Sequence, residues 1–269
     1  MSEAPPARPR PAELLAVARE VAAEAADLVA SHAAGGVAVA DTKSSRVDVV
    51  TEADRATEDL IRRLLRRLRP GDAVLGEEGG EQAGTGAVRW VVDPIDGTVN
   101  FLYGIPQYAV SLAAEVDGEV VAGVVRNPAT GTEYAAARGA GATRDGRPIA
   151  VRPVPPLAES LVLTGFSYDA HQRAVQAAGI ARLLPRVRDI RRMGACALDL
   201  CHVAEGTADA YAEEGVQPWD HAAGGLVARE AGARTALLPG AGGRPLLACA
   251  PAAAFDRFAA ALADAGLTA

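Results

Sequence analysis

The chain has 269 residues, 49% apolar and 23% charged, which is enough to bury a sizeable core and too mixed for a disordered or membrane-embedded class. A net charge of −7 argues against a surface built to hold a nucleic-acid backbone, although a local basic patch is compatible with it. Charges interrupt every apolar run well before the roughly 20 residues that span a bilayer, and Cys196, Cys201 and Cys249 lack metal-type spacing, so a cytoplasmic protein with reduced core cysteines is expected.

Residues 1–11 are rich in Pro and Ala, lack the basic-then-apolar plan of a secretory signal, and read as a flexible end. Over residues 12–33, Leu14, Leu15, Val17, Val21, Leu28 and Val29 recur with a helical period. The β-rich pieces 37–39 and 47–50 flank a polar loop and predict a hairpin with Lys43 near its tip. Thr51-Glu52-Ala53-Asp54 is a capping box, and Leu60, Ile61, Leu64, Leu65 and Leu68 continue its helix to Pro70-Gly71. Arg62, Arg63, Arg66 and Arg67 fall between those positions and read as a solvated helix face.

A short strand near 73–75, an acidic loop from Gly76, a Gly-rich connector and a buried strand over 90–92 come next. Residues 108–116, 120–126 and 132–138 then form an antiparallel meander, turned at Asp117-Gly118 and Asn127-Pro128. The Pro-rich segment 148–156 divides an N-terminal α+β lobe, 12–150, from a C-terminal α/β lobe, 151–269. In the second lobe, strands near 161–163, 188–190, 208–212, 234–237 and 246–248 alternate with helices. His32, His171, His202 and His221 match no ligand spacing and read as structural.

The chemistry is carried by acids in three places: Glu77 in Gly76-Glu77-Glu78-Gly79, Asp93 and Asp96 in the run 90–101, and Asp220 in Trp219-Asp220-His221. Phosphate monoesters repel nucleophiles, and divalent cations on such carboxylates screen that charge and acidify a water. Asp93 and Asp96 lie on opposite faces of an extended strand, but Pro94 predicts a turn after Val92 that brings them together and frees the Ile95 carbonyl to coordinate. Oxygen-only ligation favours Mg²⁺ over Zn²⁺. Gly97 lets backbone amides approach an anion, and Gly97-Thr98 opens a short helix. Taken singly, each piece has a plain reading: Asp-Pro and Asp-Gly are turn dipeptides, Glu77-Glu78 an acidic loop, Asp220 a helix cap.

Together the three blocks resemble those of the inositol monophosphatase family, within the Li⁺-sensitive sugar-phosphatase superfamily, and the resemblance extends over residues 12–265. It implies an α/β fold, the layered αβαβα sandwich of that superfamily. It also implies two or three Mg²⁺ ions held by Glu77, Asp93, Asp96, Asp220 and the Ile95 carbonyl. Thr98 and Glu77 would position a metal-activated water for direct attack on phosphorus, and Asp54 resembles the carboxylate that holds this threonine. Gly97 and Thr98 would bind phosphate, Ala195 and Glu213 the alcohol. Lys43 matches a mobile-loop position near the third metal, and Arg191 or Arg192 would face the pocket or a second subunit.

A homodimer and Li⁺ sensitivity are implied only by this resemblance. The run 101–106 and Glu213 look like the inositol branch, so myo-inositol monophosphate is the expected substrate. Gln217-Pro218 departs from the family pattern at the hydroxyl-binding wall. Histidinol phosphate and fructose 1,6-bisphosphate are the alternatives on the same scaffold. A module that binds RNA or transcription machinery is the alternative of another class, with the Arg62–Arg67 run in its favour. Haloacid-dehalogenase, Cys-based and P-loop patterns are absent: position 95 is Ile, no Cys precedes an Arg by six positions, and no Gly-rich loop ends in Lys-Ser/Thr.

Overall fold

A computed structural model describes residues 9–35, 39–42 and 49–269. Lys43 and most of the N-terminal end lie outside the described residues. Helix α1 (Pro11–Gly35) buries Leu14, Ala18, Val21, Ala22, Ala25, Ala26 and Val29. Leu15, Val17 and Leu28, which the sequence suggests for the same face, are only partly covered, because the buried face runs through Ala18, Ala22, Ala25 and Ala26 and leaves them at its flanks. Strands β1 (Val39–Thr42) and β2 (Val49–Thr51) pair antiparallel, as the hairpin pattern predicts.

Helix α2 (Glu52–Leu68) starts on the expected capping box, with the Thr51 N–H donating to Asp54 Oδ2 at 2.8 Å. The reading of its arginines needs correction at one position. Arg63, Arg66 and Arg67 are exposed, but Arg62 is buried against Glu58, because it shares the face that carries Ile61 and Leu65.

Strands β3 (Ala73–Gly76), β4 (Gly80–Gln82) and β5 (Val88–Asp96) lead to the short helix α3 (Thr98–Tyr103). The meander β6 (Ala109–Val116), β7 (Glu119–Arg126) and β8 (Glu133–Ala137) follows, then the small strands β9 (Ala142–Arg144) and β10 (Arg147–Ile149). These eight form one sheet, ordered β10-β9-β8-β7-β6-β5-β3-β4, in which β3 and β5 are the parallel neighbours.

The rest of the chain supplies β11 (Leu161–Thr164), α4 (Ala170–Leu183), β12 (Asp189–Arg191), α5 (Cys196–Ala204), β13 (Ala210–Glu214), α6 (Pro218–Glu230), β14 (Ala233–Pro239), β15 (Pro245–Pro251) and α7 (Phe255–Asp264). Its five-stranded sheet runs β12-β11-β13-β15-β14, with β12, β11 and β13 parallel and β15 antiparallel to both of its neighbours.

Strand alternation distributes the core into layers. Trp90, Val92, Val110 and Leu112 face α1 and α2, while Val91, Ala113 and Val125 face α5 and α6. Tyr211, Leu247 and Cys249 of the second sheet close on those same two helices, and its far face packs on α4 and α7 through Val162, Ala248, Phe255 and Leu262. The order is therefore helix, sheet, helix, sheet, helix, the α/β sandwich expected from the motif blocks. The central helices join residues from both sides of position 150 into one apolar cluster. All three cysteines are buried and unpaired. Among the described residues, no helix is long and apolar enough to cross a membrane.

Candidate active site

The site grows from an irregular end of β5. Asp93 pairs with Ser111 and Asp96 with Ala109, so β5 uses one more residue than β6 over this stretch. Pro94 has no N–H for the ladder, and the strand absorbs the misfit as a bulge rather than the turn after Val92 that the sequence predicts. The effect is the expected one: both carboxylates line one pocket.

That pocket, of about 160 Å³, is lined from the first sheet by Glu77, Asp93, Ile95, Asp96, Gly97 and Thr98, and from the other side by Arg192, Glu213 and Asp220. Three helices begin there: α3 at Thr98, α5 at Cys196 and α6 at Pro218. Helix N-termini present free N–H groups and partial positive charge, which favours anions. Asp96 uses one of them, accepting hydrogen bonds from the N–H groups of Cys196 at 3.2 Å and Ala197 at 2.7 Å. Asp220 sits in the first turn of α6, where it accepts from the Gln217 N–H at 2.6 Å; it is both a helix cap and a pocket acid.

The acids repel one another. Asp93, 1% exposed, is held well above the ordinary carboxylate range by burial first and then by the charges of Glu77, Asp96 and Asp220. Burial and the Asp220 charge push Asp96 up against the opposing Ala197 hydrogen bond. Asp220 is raised by burial and by Glu77. Among the described residues, Asp93, Asp96 and Asp220 have no Lys or Arg ion-pair partner, and no three such side chains are gathered tightly enough to enclose an ion as they stand. An all-oxygen set of buried, mutually repelling acids fits a hard dication, whose charge would relieve that repulsion.

Gly97, at φ 92°, sits where an added Cβ would meet the Gln107 and Gly194 carbonyl oxygens, each at 3.0 Å. Only glycine satisfies both the left-handed backbone and the close approach. Thr98 Oγ1 lies 3.2 Å from Asp54 Oδ1 and 3.1 Å from the Ile95 carbonyl oxygen, so its single proton goes to one of them. Asp54 is therefore both the capping residue of α2 and the support of Thr98, as both readings of it expect.

On the opposite wall, Glu213 Oε2 accepts from the Tyr211 hydroxyl at 2.9 Å. A Cβ at position 165 would fall 1.9 Å from that oxygen, so Gly165 makes room for the carboxylate. Burial raises the Glu213 pKa, and Tyr211 and Arg192 temper the rise.

Two candidates are placed differently from the sequence reading. Ala195 is 1% exposed and packs behind Gly97, leaving Gly194 and Cys196 to form the wall. Arg191 ends edge strand β12 facing outward and pairs with Asp189, while Arg192, one residue past the strand, turns into the pocket. His202 is structural as expected, tied to Gln107 and Glu205. His171 is exposed on the wider vestibule that continues from the pocket past Tyr168 and Arg244.

Sequence reasoning passed over other residues. Asn100 Nδ2 donates to Gln107 O at 2.7 Å and Met193 O at 2.8 Å, which fastens α3 to the approach of α5. Asp199 is fully buried, and neither carboxylate oxygen has a hydrogen-bond partner among the described residues. Burial and the Glu213 charge hold its pKa well above the ordinary range. Asn100 follows the metal-type motif and could have been found there, whereas Asp199 gives no local signal beyond an acid amid apolar residues.

Known proteins share this fold. Residues 10–265 match the model of the inositol monophosphatase family. The inositol-1-monophosphatase SuhB of Mycobacterium tuberculosis is 49% identical over 271 residues, covering 93% of each chain. The Nus factor SuhB of Xylella fastidiosa is 44% identical over 71% of this chain and 69% of its own. The solved structure of Mycobacterium tuberculosis SuhB superposes with a TM-score of 0.82, covering 96% of this chain and 99% of that one. On the matched family model, the high identity and the shared architecture, the chain belongs to the inositol monophosphatase family.

Proposed function

We propose that the chain is a Mg²⁺-dependent phosphatase that hydrolyses myo-inositol monophosphate to inositol and phosphate by a single displacement. The observation that carries this reading is the meeting of Glu77, Asp93, Asp96 and Asp220, drawn from three distant segments, beside Thr98 and the start of α3. Those four carboxylates and the Ile95 carbonyl would hold the ions. When bound, Mg²⁺ neutralises the phosphate dianion and acidifies water.

The protein's own groups do the rest. Thr98 Oγ1, steadied by Asp54, orients the attacking water together with Glu77. Gly97 and the first N–H groups of α3 bond the phosphoryl oxygens. Glu213, fixed by Tyr211, accepts a hydrogen bond from a hydroxyl of the polyol. Attack in line breaks the bond to the leaving alcohol without a phosphoenzyme. The lobes 12–150 and 151–269 would each supply one wall, and a cytoplasmic homodimer completes the proposal.

The test is phosphate release from inositol 1-phosphate, histidinol phosphate and fructose 1,6-bisphosphate, with and without Mg²⁺ and Li⁺. The proposal expects Mg²⁺-dependent, Li⁺-inhibited turnover that is fastest on the inositol ester. Faster release from histidinol phosphate would move the assignment to that substrate, and no Mg²⁺-dependent release from any of them would remove it.

The relative named as a Nus factor supports a second reading, association with transcription machinery. The exposed Arg63, Arg66 and Arg67 are the available basic strip, though Arg67 already stands 3.7 Å from both Glu20 and Glu24. Failure to shift RNA at low salt would remove RNA from this reading.

A further inference from the structure

Helix α2 forms no wall of the pocket, yet one of its stripes reaches Thr98, which does, and the loop that follows the pocket-lining Glu77. Asp54, Glu58 and Arg62 follow one another at four-residue steps and are 0%, 3% and 8% exposed. Asp54 meets Thr98. Glu58 Oε2 accepts from the Glu78 N–H at 2.8 Å, and its Oε1 accepts from the Gly79 N–H and from Arg62 Nε, each at 2.8 Å. Arg62 Nη2 then donates to the Gly80 carbonyl at 2.6 Å.

The loop closes directly on this pair: a Cβ at Gly76 would lie 2.5 Å from the Glu58 carboxyl group. The two amides that follow Glu77 are thereby fastened to α2, while the Glu77 N–H itself donates to Val92 O at 3.2 Å, next to Asp93. A loop with glycine at 76, 79 and 80 has little stiffness of its own. A buried ion pair is seldom a net source of stability, so its placement here calls for a geometric role.

We propose that Glu58 and Arg62 are positioning residues for Glu77: a buried clamp that sets the acidic loop at a fixed separation from Thr98, which the same helix holds through Asp54. The inference rests on the reading of Glu77 as a metal ligand. It assigns no contact with substrate to either clamp residue.

The test uses the full chain with Glu58→Gln, Arg62→Met, Arg62→Lys and, as a control on the exposed face, Arg63→Met. Glu58→Gln keeps the shape but turns an NH₂ group toward N–H donors. Mg²⁺ binding is measured by calorimetry, amide exchange is followed at Glu78 and Gly79, and KM for inositol 1-phosphate is taken at saturating Mg²⁺. Glu58→Gln and Arg62→Met are expected to weaken Mg²⁺ binding by about 10–100-fold, the usual effect of removing a group that orients a ligand. They should also speed exchange at both amides and leave KM unchanged, with Arg62→Lys recovering part of the loss and Arg63→Met behaving as wild type.

If exchange accelerates while Mg²⁺ binding stays at the wild-type level, the pair only holds the loop and the positioning role is overturned. If Glu58→Gln fails to fold, the Arg62→Met and Arg62→Lys pair decides by the same readouts. Absence of Mg²⁺ binding by the wild-type chain would instead overturn the metal reading, and the role inferred from it.

Discussion

Asp93→Asn should make the metal-free protein more stable and the metal-loaded one weaker. Asp93 is 1% exposed, and its own burial first, then the charges of Glu77, Asp96 and Asp220, oppose its ionisation. Asparagine has nearly the same shape and keeps the oxygen that accepts the Ile95 N–H at 3.0 Å, so the bulge in β5 survives. What disappears is the cost of holding an ionisable carboxyl where burial and neighbouring acids oppose its charge. A single stabilising substitution commonly yields about 0.5–2 kcal/mol, which for a chain of this size raises Tm by roughly 1–8 °C.

Mg²⁺ inverts the order. A ligand at a hundred times its Kd stabilises the form that binds it by about 2.7 kcal/mol, and the variant should lose most of that gain with one of the carboxylates that would hold the ion. The assay is a pair of thermal melts, in chelator and in Mg²⁺, with phosphate release from the same preparations. The reasoning is refuted if Asp93→Asn melts below wild type in chelator, since removing a repelling charge would then have cost stability. It is refuted equally if the variant keeps the full Mg²⁺ shift.

Thr98→Ala and Asp54→Asn should each lower kcat by about 10²–10⁴-fold, the range for groups that position a proton in the transition state, while KM stays near wild type in steady-state kinetics. Gly97→Ala puts a methyl 3.0 Å from two carbonyl oxygens at φ 92°; a loss of about 1–3 kcal/mol in urea unfolding is expected from the strained backbone alone, together with loss of activity. Glu205 carries an acid-stability signature. Burial raises its pKa, but hydrogen bonds from His202, Thr207 and Tyr134 and the Arg144 charge win and bring it down to about 2. A carboxyl lowered on folding stabilises above its unfolded value and loses that contribution as pH falls through its folded one. Glu205→Gln should therefore cost about 1–2 kcal/mol at pH 7, after allowance for solvent screening at its outer edge. In melts taken from pH 6 down to pH 2 that difference should vanish; a difference independent of pH would sink the account.

Much of the fold was legible because its signals are local. Thr51 and Asp54 form a capping box whatever surrounds them, and the meander turns fall at Asp117-Gly118 and Asn127 as their residue types require. The strands β9 and β10 were equally announced, by Asp145-Gly146 with φ of 49° and 75°, but each is three residues long and offers no alternation to read. On α1 the large apolar residues mark the helical period, whereas Ala18, Ala22, Ala25 and Ala26 share the buried face with Leu14, Val21 and Val29 and add little to that signal. The choice between Arg191 and Arg192 turned on where β12 ends, since one residue of register reverses which side chain faces inward.

Arg62 carries two sequence signals, and the nearer one misleads. Read against Arg63, Arg66 and Arg67, it belongs to a charged run and points to solvent. Read against Glu58 and Asp54, four and eight residues earlier, it is the end of a polar stripe on the buried side of α2. A charge on the apolar face of a helix must be met by another group, and Glu58 together with the Gly80 carbonyl supplies it. The acids at 77, 93, 96 and 220 were legible because they sit in dense motifs, yet those motifs say nothing of what holds them apart. Like charges at this density separate unless something outside the pocket fixes them. The anchors are found where short-range patterns are silent: α2 beneath Glu77 and Thr98, and the first turn of α5 beneath Asp96. A substitution on either helix should accordingly be felt in the chemistry before it is felt in the fold.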